Sequence, residues 1–271
     1  MISKFAIAIS LLIFWPASLY LANTWQDFFT YIIPGLLLAL SLHLFAKKSD
    51  YFIFPTIVIP FISPKLALFP VLFSLYNFAL NQKKQHLIGL FVATLVLVLS
   101  FSQFKGQTVL TSDYEARQQV IRDQELYPSI LMARTFHNKA KVVTDKVVFN
   151  FFALFDLNNY FFGFHPHQIS GNQNLTKYPF FAIFLFLLGI YNFRKTKYSK
   201  FILTSLTAGV GSLLLLTIFD RHDFLIFVPI TLIALNGLNV MNDKVVLVKV
   251  FFWIFAISLI PEFVRLITAD V

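Results

Sequence analysis

Asp220-Arg221-His222-Asp223 is the densest charge cluster beside a long apolar run in this sequence. A guanidinium offers paired donors in a fixed fork that matches phosphate oxygens. Arg221 is therefore a candidate ligand for a lipid-linked phosphate, with Asp220 or Asp223 orienting it and His222 beside it. The plain alternative is a solvated turn at the end of a span. A second stretch, FDLNNYFFGFHPHQISGNQNLTKYPF at 155–180, has aromatics at both ends and amides and histidines between them. Anchoring in a membrane interface accounts for the aromatics. Asp156, Asn158, Asn159, His165, His167 and the run from Gln168 to Thr176 suit a loop lining a pocket for a polar ligand, where amide side chains bond hydroxyls. His165, His167 and His222 with a carboxylate would make a metal set. However, Pro166 separates the first two and no HExxH spacing occurs, so no metal is assigned.

The elements that must position these residues are apolar. Of 271 residues 58% are hydrophobic, 35 are Phe and only 13% are charged, against about 25% charged in water-soluble domains. The chain reads as an all-α, polytopic helical membrane protein. Apolar runs fall at 5–22, 29–46, 87–104, 178–193, 201–219, 224–241 and 245–261. The first has a basic start like a signal peptide, but Tyr20 stands where cleavage after Ala22 needs a small residue, so an uncleaved first helix is expected. Between 51 and 80, prolines at 55, 60, 64 and 70 break the run. A single crossing would put the lysine pairs 47/48 and 83/84 on opposite sides, whereas a hairpin turning at Ser63-Pro64-Lys65 puts both inside. With the hairpin, Lys4, Arg194, Lys195, Lys197, Lys200 and Lys244 are also inside, and the short outer connections carry only Lys65, Arg221 and Arg265. The expectation is about eight membrane segments, with the N-terminus inside and the C-terminus outside. His43 and His86 read as interfacial.

Three regions follow: a membrane part at 1–104, one long outer loop at 105–177, and C-terminal membrane helices at 178–271. In the loop, Ser112-Asp-Tyr-Glu115 fits a capping box opening a helix that ends near Leu126, before Pro128. Residues 139–155 read as a helix lying in the outer interface, with Lys139, Asp145, Lys146 and Asn150 on its polar side. The net charge of +9 sits in short clusters between apolar runs, so nucleic acid is not an expected partner. The absence of cysteine excludes thiolate chemistry. No cofactor is expected either, since the chain has no Walker loop, Gly-rich dinucleotide turn or GxSxG.

LMARTFHNKAKVVTDKVVFNFFALFDLNNYFFGFHPHQ, then a span, a basic turn, a span and FDRHDFLIFVPI, resemble the C-terminal part of GT-C-type, glycosyltransferase-39-like membrane enzymes. The likeness covers roughly 125–241. It implies an enzyme of the bacterial plasma membrane that takes a sugar from a polyprenyl-phosphate carrier at the outer face. It also implies that Arg221 neutralises the carrier phosphate. The family's acidic pair in the first outer loop is represented by Asp27 alone, in NTWQDF, and the chain is much shorter than family members. Asp27 is the catalytic candidate, and the chain reads as a transferase or its carrier-binding half. Two other readings stand beside it: a non-enzymatic subunit docking a second membrane subunit through the outer loop, and a small transporter built on the 51–80 hairpin.

Overall fold

The computed structural model describes residues 33–110, 114–126, 138–162, 182–196, 198–217 and 224–241, with single positions at 29–30, 129–135, 178–180 and 250–264. Among these the chain is all-α. The helices are α1 (Ile33–Ala46), α2 (Phe54–Ile62), α3 (Leu68–Asn81), α4 (Lys84–Leu99), α5 (Phe101–Gly106), α6 (Tyr114–Glu125), α7 (Lys139–Phe155), α8 (Ala182–Tyr191), α9 (Ser199–Leu213) and α10 (Phe224–Met241). The longer ones, of 14 to 18 residues, measure ~21–27 Å at 1.5 Å per residue. Among the described residues no helix is long and apolar enough to cross a membrane.

Prolines shape the 51–80 stretch into an out-and-back pair, α2 and α3. Pro55 falls in the first turn of α2 and Pro70 in the first turn of α3, where a backbone donor has no helical partner to lose. Ser63, forced out of the helical region by Pro64, is extended at φ −132°, ψ 94°, and its N–H still reaches Ile59 O at 2.9 Å. A 3₁₀ turn, Pro64–Leu66, reverses the chain. At the open end, Lys83 and Asp50 form an ion pair at 2.5 Å across 33 residues. Ser41 Oγ donates to Phe52 O at 2.6 Å and ties α1 to the same end. Phe45, Phe52, Phe73 and Phe201 pack edge-on or tilted there, with centroids 5.2–6.4 Å apart.

Helix–helix contacts run through small and polar residues. The buried face of α4 is His86, Gly89, Ala93 and Val96. That of α9 includes Thr204, Ser205, Ala208, Gly209 and Ser212. Large apolar side chains turn outward instead: Leu87, Phe91, Leu95 and Val98 are exposed at helical spacing, Phe91 by 71% and Val98 by 68%. The tightest approach joins α8 to α10. A Cβ at Gly189 would lie 1.8 Å from Ile233 O, and one at Gly237 would lie 2.0 Å from Leu185 O. Only glycine lets the backbones come this close.

Gly189→Ala and Gly237→Ala should each lower stability by about 1–3 kcal/mol, as overpacking does. Gly35→Ala, with nothing within 4 Å of its Cβ, should be neutral or stabilising. Thermal unfolding of the three purified variants checks this, and equal melting temperatures would contradict the close approach.

Candidate functional site

α7 begins at Asn138, whose side chain accepts from Lys141 N at 3.0 Å, and ends at Asp156 in extended backbone. Asn150, read from sequence as part of the polar side of an interfacial helix, is buried instead. Its Nδ2 donates to Leu214 O at 2.9 Å and Leu216 O at 2.8 Å. One side-chain amide thus satisfies two carbonyls left over where α9 ends. Alongside, Val109 N donates to Leu215 O at 2.9 Å and Thr217 N to Gln107 O at 3.1 Å, around an antiparallel bridge between Thr108 and Leu216. The start of the 105–177 stretch and the segment leading towards Asp220 are therefore stitched together. Phe151, Phe152 and Phe155 point outward from α7.

Past α7 the chain makes a π-helical turn, Asn158–Phe162. Asp156 Oδ1 accepts from Asn158 N at 2.9 Å, so this carboxylate holds the turn. Tyr160 OH donates to Leu154 O at 2.8 Å, and Tyr178 N donates to Tyr160 O at 2.7 Å. Tyr178 stacks on Phe161 at 5.5 Å, donates to Phe227 O at 2.9 Å and bonds Thr231 Oγ1 at 2.8 Å. Burial pushes the Tyr160 hydroxyl well above its ordinary value, with Tyr178 and Asp156 adding in the same sense. It stays a neutral donor, which makes this platform a rigid support and not an acid–base pair.

Of the residues singled out from sequence, Asp156, Asn158 and Asn159 come together here. Asn159 is described by its backbone only. Asp27, His165, His167, Asp220, Arg221, His222 and Asp223 lie outside the described residues. Their described neighbours do converge: Thr217 is bonded to Gln107, Phe227 lies under Tyr160 and Tyr178, and Phe161 packs on Tyr178. Lys48, Lys83 and Tyr198 gather elsewhere, around one cavity. α4–α5 and α9 both run from that cavity to the paired 107–109 and 215–217 segments, so the lysine turns and the platform occupy opposite ends. Among the described residues no group of three His, Asp or Glu side chains is set to hold a metal.

Sequence reasoning missed Asn150, and it assigned Tyr178 to an interface when it is buried. The periodicity of α7 carries a faint signal for the first, because Asn150, Ala153 and Leu154 share a face at helical spacing. Comparison with family models, curated proteins and solved structures gave no match. The class that the fold itself defines is an all-α helical protein.

Asn150→Leu should cost about 1–3 kcal/mol by orphaning buried carbonyls. Asn150→Asp should cost at least as much, since a carboxylate cannot donate to them. Tyr178→Phe should cost about 1 kcal/mol. Unfolding midpoints of the three variants measure this, and a fully stable Asn150→Asp would refute the clamp.

Proposed function

We propose that the chain is a polytopic membrane protein whose platform end is the outer, working face of a GT-C-like glycosyltransferase, or of the carrier-binding half of one. The reaction is transfer of a sugar from a polyprenyl-phosphate donor. In a bacterial plasma membrane the lysine-bearing end is then cytoplasmic, as basic turns require.

The observation that carries the membrane reading is the polarity of α4, with His86, Gly89 and Ala93 inward and Leu87, Phe91, Leu95 and Val98 outward. In water that arrangement exposes apolar surface without return. In lipid it is the expected one, because association there depends on close packing and hydrogen bonds and not on hiding apolar area. Helices of ~21–27 Å fall short of the ~30 Å hydrocarbon thickness. The α2–α3 hairpin, buried among other helices, is the setting in which broken segments are tolerated at membrane depth.

The transferase reading is supported by the convergence of Asp156, Asn158 and the flanks of the Asp220–Asp223 quartet on one end, opposite the lysines. In it, Arg221 neutralises the carrier phosphate, Asp27 serves as base, and the 155–177 loop lies near the acceptor. His165, His167, His222, Asp220, Asp223 and Asn159 complete the polar lining.

Phe91→Arg, on the outward face of α4, should cut the membrane-integrated fraction, because arginine at a helix centre costs about 2.5–3.5 kcal/mol on insertion. Unchanged resistance to alkaline extraction would argue against a lipid-facing α4. With polyprenyl-phosphate sugar as donor, Arg221→Ala and Asp27→Asn should each slow transfer about a hundredfold or more. Wild-type rates in both variants would end the enzymatic reading.

A further inference from the structure

At the lysine-bearing end, the C-terminus of α1, the C-terminus of α3, the start of α4 and the residue before α9 border an open cavity of about 360 Å³. Lys48, Asp50, Asn81, Lys83 and Tyr198 contribute polar groups to its wall, over an aromatic floor that includes Phe52. The backbone is bent to form it. Lys48 and Gln82 hold left-handed conformations, at φ 57° and 48°, that residues with a Cβ seldom adopt. Lys48 N donates to Phe45 O at 2.9 Å and Ser49 N to Leu44 O at 3.0 Å, closing α1. Gln82 N closes α3 on Phe78 O at 2.7 Å.

His86 also forms part of this wall and is 2% exposed. Its Nδ1 lies 3.1 Å from Asn77 O, an acceptor only, so Nδ1 carries the proton. Its Nε2 is buried and has no hydrogen-bond partner. A buried nitrogen with unmet bonding capacity, within the field of the Lys83 ammonium, is a costly arrangement.

We propose that this cavity binds a phosphate ester, with Lys48 supplying charge, Lys83 shared between Asp50 and the anion, and His86 taking up a proton as the anion enters. The shared chemistry is a phosphate carrying an organic group that can rest on the aromatic floor. An anionic lipid headgroup of the inner leaflet is one source and a soluble phosphate ester is the other. Only the lipid source rests on the membrane reading above.

The proton linkage follows from the groups around the ring. Burial holds the His86 pKa below its ordinary value and Lys83 adds to this, while the Asn77 carbonyl and Asp50 oppose it. Lys48 and Tyr198 are the other titratable groups on the cavity wall. Without an anion the neutral ring is favoured, so the histidine's contribution to stability is present above its unfolded pKa and declines as pH falls towards the lower folded value. The charge of an adjacent phosphate reverses the preference. Affinity should therefore rise as the pH is lowered. A phosphodiester probe does not itself titrate over this range, so the pH dependence reports on the protein.

The test uses the full chain in mixed micelles, with binding of phosphatidylglycerol and of phosphatidylcholine measured by native mass spectrometry between about pH 5.5 and pH 8. Soluble glycerol phosphodiester and inorganic phosphate are titrated separately. Expected are selective retention of phosphatidylglycerol, tighter at low pH, about tenfold or more weaker binding in Lys48→Gln/Lys83→Gln, and a flattened pH profile in His86→Gln. The same pattern with a soluble anion, and no lipid selectivity, assigns a soluble ester. Equal retention of both lipids together with no binding of either soluble anion overturns the proposal. Identical pH profiles for wild type and His86→Gln overturn the protonation role. Lys48→Gln alone, at an exposed position, keeps the test valid should the other variants fail to fold. Sugar transfer is assayed separately through Arg221, so failure at either end is distinguishable from failure at the other.

Discussion

Contact between helix backbones at small residues is the constraint on which the rest of this architecture depends. Gly189 against Ile233 and Gly237 against Leu185 bring α8 and α10 together with no side chain between them. On α4 the same principle acts through Gly89 and Ala93, and on α9 through Ala208, Gly209 and the hydroxyl residues. Around these contacts large apolar side chains such as Leu38, Ile57, Phe69, Phe73, Phe201 and Leu225 pack into one core, while others, Phe91 and Val98 among them, stay outside.

The two ends are finished by different chemistry. At one, a hydrogen-bond clamp centred on Asn150 joins α7 to the segments after α5 and α9, and Tyr160 and Tyr178, edge-on to Phe227, seat the turn after α7 on α10. Carbonyls that a helix end leaves unsatisfied are met by a side chain from 64 and 66 residues away. This costs little where water is excluded, since the alternative is an orphaned carbonyl. At the other end, a salt bridge and two left-handed turns hold lysines around a cavity. The first end is held by hydrogen bonds of neutral side chains, and the second by an ion pair.

Much of the local structure was legible in the residues. Pro64 marked where the 51–80 stretch turns, because proline restricts the residue before it, whereas Pro60, also expected to break the run, lies inside α2. The helix expected at 139–155 is α7, and the structure adds its cap, Asn138. The helix after Ser112 begins at Tyr114 and ends at Glu125, close to its expected bounds. The expected run 87–104 is two helices parted at Ser100, the first starting three residues earlier at Lys84. Apolar composition continues through a bend, so it does not mark where the hydrogen-bond ladder stops.

The sequence by itself determined the all-α class, the hairpin's turning point and most helix ends, since each depends on groups within a few residues of one another. Tertiary structure alone decided that His86 is buried, that Asn150 faces inward, and that Asp50 meets Lys83 across 33 residues. Those outcomes follow from which face of each helix meets which neighbour. The periodicity of α4 is apolar nearly all round and names no face, so packing against α3, α2 and the 3₁₀ turn Asp50–Ile53 chose one.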